Sequence, residues 1–126
     1  MKIVILIARL LLGLMFVFFG SNLVHPFLSM GALSPGLAGQ FEGALFASHF
    51  MVVVGAVMVI SGLLFLVNRF VALGLVLLGP ILVNILLFHT LLQHEGFQPG
   101  LVATILWFVV FYGHRSSFEG IFRAKA

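Results

Sequence analysis

Long apolar runs with almost no charge in them leave this chain few ways to fold. Residues 3–24 contain a single charged side chain, Arg9, while residues 44–67, 70–92 and 101–112 contain none. A helix rises about 1.5 Å per residue, so about 20 apolar residues cross a hydrocarbon core of roughly 30 Å. The runs are continuous rather than alternating, which excludes the in-out pattern of a transmembrane barrel. In lipid, such runs satisfy their backbone groups only as helices. Composition closes the alternative of a soluble fold. Charged residues make up 7% of the 126 and apolar ones 63%, with a mean hydropathy of +1.31. A soluble domain is roughly a quarter charged. The expected fold is therefore an all-α integral membrane protein, a single transmembrane domain built as a four-helix bundle. A soluble enzyme or an isolated binding module is excluded. The chain has no Cys, which removes disulfides, thiol catalysis and thiolate-held metals.

The expected spans are residues 3–24, 44–67, 70–92 and 98–114, with an outer loop at 25–43 and a tail at 115–126. Pro26 follows the first span, Asn68-Arg69 separates the second from the third, and Gly96 with Pro99-Gly100 introduces the fourth; all are residues that end or start helices. The first span resembles a signal peptide, but the small-residue stretch Gly36-Leu37-Ala38 lies too far beyond the apolar core to be its cleavage site, so it is expected to be retained. Lys2, Arg69, Arg115, Arg123 and Lys125 fall on one side of this scheme, and Glu42 and Glu95 on the other. Cytoplasmic loops are enriched in Lys and Arg. Both termini are therefore expected in the cytoplasm. In the tail, Glu119 and Arg123 are spaced i, i+4, which fits a short interfacial helix resting on anionic lipid.

Spacing also suggests how the spans pack. Helices in lipid approach through small residues. Gly13 and Gly20 are seven apart in span one, as are Ser48, Gly55 and Gly62 in span two, and a spacing of seven keeps residues on one face of a left-handed bundle. Arg9 shares the face of Gly13 and Gly20, so it is expected to point into protein. Pro80 removes an intrahelical hydrogen bond in span three, and a kink is expected there.

Ionisable and polar groups inside a membrane are candidates for function. Arg9 reads either as a snorkelling anchor or as a donor to an anion or quinone oxygen. His25, His49 and His89 come from three helices at similar height near the outer ends, with Asn84 deeper on span three. If they converge, imidazole and amide groups suit hydrogen bonds to a quinone or lipid head. Otherwise they are interfacial side chains wetted by headgroups. The spacing of His89 and His94 is one residue off a chelating pair, and no metal site is expected. No Ser/His/Asp set, paired carboxylates or phosphate-binding loop is present, so no catalytic residue is assigned and an isolated enzyme is not expected.

The stretch Arg9-Leu-Leu-Leu-Gly13-Leu-Met-Phe16 leading to Phe19-Gly20 resembles the opening helix of DoxX-type membrane proteins. Gly62-Leu-Leu-Phe-Leu-Val-Asn68-Arg69-Phe70 and Gly79-Pro80-Ile-Leu-Val-Asn84-Ile-Leu-Leu-Phe88-His89 resemble the central hairpin of DoxX-like sequences. The resemblance covers spans one to three. It implies a small four-helix protein of a bacterial or archaeal inner (cytoplasmic) membrane, accessory to a quinone-linked redox complex. Many DoxX-like proteins carry a Glu within span two; here that region reads Phe50-Met-Val-Val-Val-Gly55-Ala-Val-Met. Three functions follow as expectations. The first is an accessory or anchoring subunit of a membrane redox complex. The second is a small transporter or a lipid- or quinone-binding protein, and the third a purely structural interaction subunit. The expected partners are the bilayer and other membrane subunits or further copies of the chain, with no nucleic acid. No intrinsic cofactor is expected; a quinone or a bound lipid is the candidate ligand.

Overall fold

The computed structural model describes residues 1–25, 35–92 and 98–124, and every regular element among them is helical. Pro26, Gln93, His94, Glu95, Gly96 and Lys125 lie outside the described residues. The elements are α1 (Lys2–Val24), α2 (Gly36–Ala47), α3 (Phe50–Val67), α4 (Val71–Leu87) with a π-helical turn (Phe88–Leu92), α5 (Gln98–Gly113) and a terminal 3₁₀ helix (Arg115–Phe122). Three helical stretches are long and apolar enough to cross a membrane: α1, α3, and α4 with its π turn. At 16 residues, α5 rises only about 24 Å. It adds a fourth candidate only together with the 3₁₀ helix, from which it is bent by 84°.

The helices stand antiparallel in chain order around a ring, with α1 packed on α3 and α5, and α4 packed on α3 and α5. Pairs of facing residues fix the directions. Gly13 lies against Gly62 and Gly20 against Gly55 across α1 and α3; Gly100 reaches Ile85 and Gly79 reaches Trp107 across α4 and α5; Gly113 meets Ile5 across α5 and α1. Leu12, Phe16, Met58, Phe65, Leu75, Leu78, Leu82 and Val110 fill the centre, while Ile7, Leu14, Val53, Val83 and Phe108 face outward. An apolar exterior around an apolar core is what lipid as the outer solvent permits. The chain is a membrane protein.

Three boundaries differ from the sequence expectation. Residues 36–43 of the expected outer loop, and residues 44–47 of the expected second span, form α2, a helix of its own. The break falls at Ser48-His49. His49 takes the left-handed conformation with φ 63°, and the Ser48 hydroxyl both donates to the Leu45 carbonyl (3.3 Å) and accepts from the Phe50 amide (3.4 Å). That local bonding competes with helix continuation. Span two therefore starts at Phe50. In span three the helix runs through Pro80 without a break, and the winding changes only at Phe88, where the π turn begins. The tail is wound as a 3₁₀ helix. Three residues per turn place i and i+4 about 120° apart, and Glu119 and Arg123 make no ion pair among the described residues. The tail is held by Phe118 instead, whose ring centroid lies 4.9 Å from that of Phe111.

The α3–α4 turn follows the sequence closely. Asn68 ends α3 in the left-handed region (φ 56°, ψ 43°), a conformation that Asn tolerates better than most residues. Its amide donates to the Phe65 carbonyl (3.3 Å), and the Arg69 amide donates to the Leu64 carbonyl (3.2 Å).

Candidate functional site

Two features dominate the protein interior, and both join α1 to α3. The first is a glycine seam. A Cβ placed on Gly62 would stand 2.7 Å from the Gly13 carbonyl oxygen, and one on Gly55 2.7 Å from the Gly20 carbonyl oxygen; the reciprocal distances are 2.9 and 2.7 Å. The obstacle in each case is main chain. Backbone therefore lies on backbone at two levels one heptad apart, with no room for a methyl group at either.

The second is Arg9, 8% exposed on the same face of α1. Its Nη1 donates to the Phe65 carbonyl of α3. Phe65 is among the last four residues of α3, where the helical i+4 donor is missing; its carbonyl takes the Asn68 amide at 3.3 Å and has a lone pair left for the guanidinium. The guanidinium thus caps the negative end of one helix from the side of another. One turn earlier in α3, Ser61 is fully buried and donates to the Val57 carbonyl (2.9 Å). Among the described residues no buried side-chain nitrogen or oxygen lacks a partner. Arg9 is buried in the bundle, with Nη1 committed to α3.

The polar residues at the opposite end come from four different elements. His25 caps α1 in extended conformation and is exposed. His49 is exposed on the α2–α3 turn. His89 is half-buried in the π turn, edge-on to Phe88 at 5.2 Å, and Phe88 in turn lies 5.8 Å from Phe41 of α2. Asn84 is exposed and bonds to its own helix, its Nδ2 donating to the Pro80 carbonyl (2.8 Å). Asn84 is thus tied one turn back to Pro80, and His89 is set against Phe88 in the π turn. Among the described residues, no three His, Asp or Glu side chains stand close enough to hold a metal.

Next to Pro80, α4 packs on α5. Lacking an N–H, Pro80 leaves the Val76 carbonyl without its helical donor. Beside it, Gly79 admits the Trp107 indole, and Trp107 Nε1 donates to the Leu75 carbonyl (3.0 Å). Trp107 stacks on Phe111 at 5.4 Å with ring planes 6° apart, and Phe111 meets Phe118. These rings tie α4, α5 and the 3₁₀ helix together.

An open groove of about 370 Å³ runs between the start of α1 and the end of α5, lined by Met1, Val4, Ile105, Phe108, Val109 and Tyr112. Its lining is apolar. Beside Tyr112, the Arg115 guanidinium lies 4.2 Å above the ring, with Nη1 donating to the Tyr112 carbonyl (2.6 Å).

Residues that composition did not single out are Asn22, Ser61 and the role of Trp107. Asn22 is 3% exposed near the end of α1. It lies seven residues after Met15 and fourteen after Ala8, so the spacing that picks out the glycines also marks its buried face. Ser61, adjacent to Gly62, had the same kind of signal. Comparison of the chain with protein-family models, with curated proteins and with solved structures finds no match.

Proposed function

We propose that this protein is a non-catalytic anchoring subunit of a larger membrane assembly, a four-span bundle with both termini in the cytoplasm of a prokaryotic cell. The observation that carries the reading is how the interior uses its special residues. Gly13, Gly20, Gly55 and Gly62 serve backbone-to-backbone contact between α1 and α3, and the buried charge, Arg9, serves the end of α3. These groups build a rigid hairpin with an apolar exterior, which is what a subunit needs to hold others in a bilayer. The one-sided placement of Lys2, Arg69, Arg115 and Arg123 supports the orientation. The assignment to a quinone-linked redox complex rests on the sequence resemblance to DoxX-like proteins.

A second reading, a lipid- or quinone-binding protein, is favoured by the groove between α1 and α5. Its apolar walls suit an acyl or isoprenoid tail, and Tyr112 with Arg115 suits a polar head. In this reading the ligand sits at the Lys2 end of the bundle, away from His49, Asn84 and His89.

The test is affinity purification of the tagged chain from its native membranes in mild detergent, with mass spectrometry of what co-elutes. The anchoring reading expects oxidoreductase subunits in fixed stoichiometry. A chain that elutes free of other proteins and retains a quinone or lipid would replace it with the second.

A further inference from the structure

Asn84 presents a polar group where lipid should be. It lies eight residues before Leu92 and thirteen after Val71 in a helical stretch of 22 residues, so it is about 12 Å from the nearer end. Its side chain is exposed. One Nδ2 hydrogen goes to the Pro80 carbonyl of its own helix; the second hydrogen and Oδ1 have no partner among the described residues. A carboxamide at this depth has no water to turn to, and in membranes such groups find a neighbouring helix. The surrounding surface of α4 is made of Val76, Pro80, Val83 and Leu87, all exposed. The two pairs Val76/Val83 and Pro80/Leu87 each repeat at seven residues, the spacing a left-handed helix pair uses.

We propose that the protein self-associates as a two-fold dimer through this face of α4, with the two Asn84 carboxamides hydrogen-bonded to each other across the axis. The choice of a second copy follows from what Asn84 has left over. It offers one N–H donor and one carbonyl acceptor, and an identical carboxamide satisfies both at once. Two copies inserted in the same direction are related by an axis along the membrane normal, which sets α4 beside its equivalent and residue 84 at the same depth in each. Such an interface is isologous, so one patch suffices. A polar residue at one position of an apolar helix pair also fixes register. The outward faces of α1, α3 and α5 remain available, so the dimer does not depend on the anchoring reading.

The chain contains no Cys, so a single introduced one reports contacts without background. Val83→Cys and, as a control on the outward side of α3, Ile60→Cys are reconstituted as full-length protein in phosphatidylcholine–phosphatidylglycerol vesicles. They are then oxidised with copper phenanthroline. Val83→Cys is expected to form a disulfide dimer and Ile60→Cys to remain monomeric. In a fluorescence-transfer dilution series, Asn84→Leu is expected to raise the dimer dissociation constant about 5- to 30-fold or more, the range for losing polar interhelical contact in lipid. Asn84→Gln, which keeps donor and acceptor, is expected to stay near the parent value. The parent Val83→Cys result needs no substitution at residue 84, so a folding defect in Asn84→Leu does not decide the matter. Monomeric parent protein, equal crosslinking of Ile60→Cys, or Asn84→Leu associating as tightly as the parent would each overturn the proposal.

Discussion

Replacing Gly62 by Ala adds a single methyl group, and the structure says where it goes. The new Cβ would stand 2.7 Å from the Gly13 carbonyl oxygen, 2.7 Å from Val17 Cγ2 and 2.9 Å from the Val17 amide nitrogen. Two of the three obstacles are main chain, so no rotamer change clears them. Reaching ordinary contact at 3.4 Å requires α1 and α3 to part by about 0.7 Å, a gap that forfeits about a quarter to a half of each dispersion contact along the seam. Overpacking of this kind costs about 1–3 kcal/mol. The gain in helix propensity from Gly to Ala, about 1 kcal/mol in water, offsets part of it. The net expectation for Gly62→Ala is a loss of about 1–2 kcal/mol, and for Gly62→Leu a larger one. Gly79→Ala is the control, because its Cβ meets only Trp107 Cζ2, at 3.7 Å; it is expected to be neutral or slightly stabilising. Thermal unfolding of the purified protein in detergent, followed by circular dichroism, ranks the three. If Gly62→Ala is as stable as the parent, or less perturbed than Gly79→Ala, backbone contact at the seam is not what holds α1 on α3.

Arg9→Leu removes the donor to the Phe65 carbonyl and is expected to cost about 1.5–3 kcal/mol, the range for hydrogen bonds involving charged groups. Arg9→Lys recovers part of it, and equal stability of all three proteins in the same unfolding assay would show that Arg9 does not clamp α3. Trp107→Phe keeps an aromatic ring beside Gly79 but loses the bond to the Leu75 carbonyl, for an expected loss of about 0.5–1.5 kcal/mol; a parental melting temperature would contradict it. For orientation, Leu37→Cys in whole cells is expected to react with an impermeant maleimide, and Ala124→Cys only after lysis. The opposite pattern inverts the topology.

The helical, membrane-spanning character was legible because it depends on hydropathy summed over long windows, where tertiary detail averages out. The glycine spacing was legible for a related reason: helix geometry converts a period of seven into a face without knowledge of the partner. Asn68 marked its turn through its own tolerance of left-handed backbone. What sequence did not reveal had no local signature. Ala44, Leu45, Phe46 and Ala47 are as apolar as the residues after Phe50, so hydropathy runs straight across a turn made by Ser48 bonding and a left-handed His49. At Pro80 the missing hydrogen bond is legible in sequence, but not that the helical winding continues through it with Trp107 packed beside Gly79. The histidines shared a height along the bundle, but height says nothing of direction around each helix axis.

The anchoring claim is tested most directly by deleting the chain from its native cell. The measurement is the share of whichever oxidoreductase co-purifies with the chain that sediments with membranes. The account predicts that the enzyme shifts to the soluble fraction, that the parent chain restores it, and that Gly62→Leu, which forces the α1–α3 seam apart, restores it poorly. An enzyme that stays membrane-bound without the chain would contradict the anchoring function.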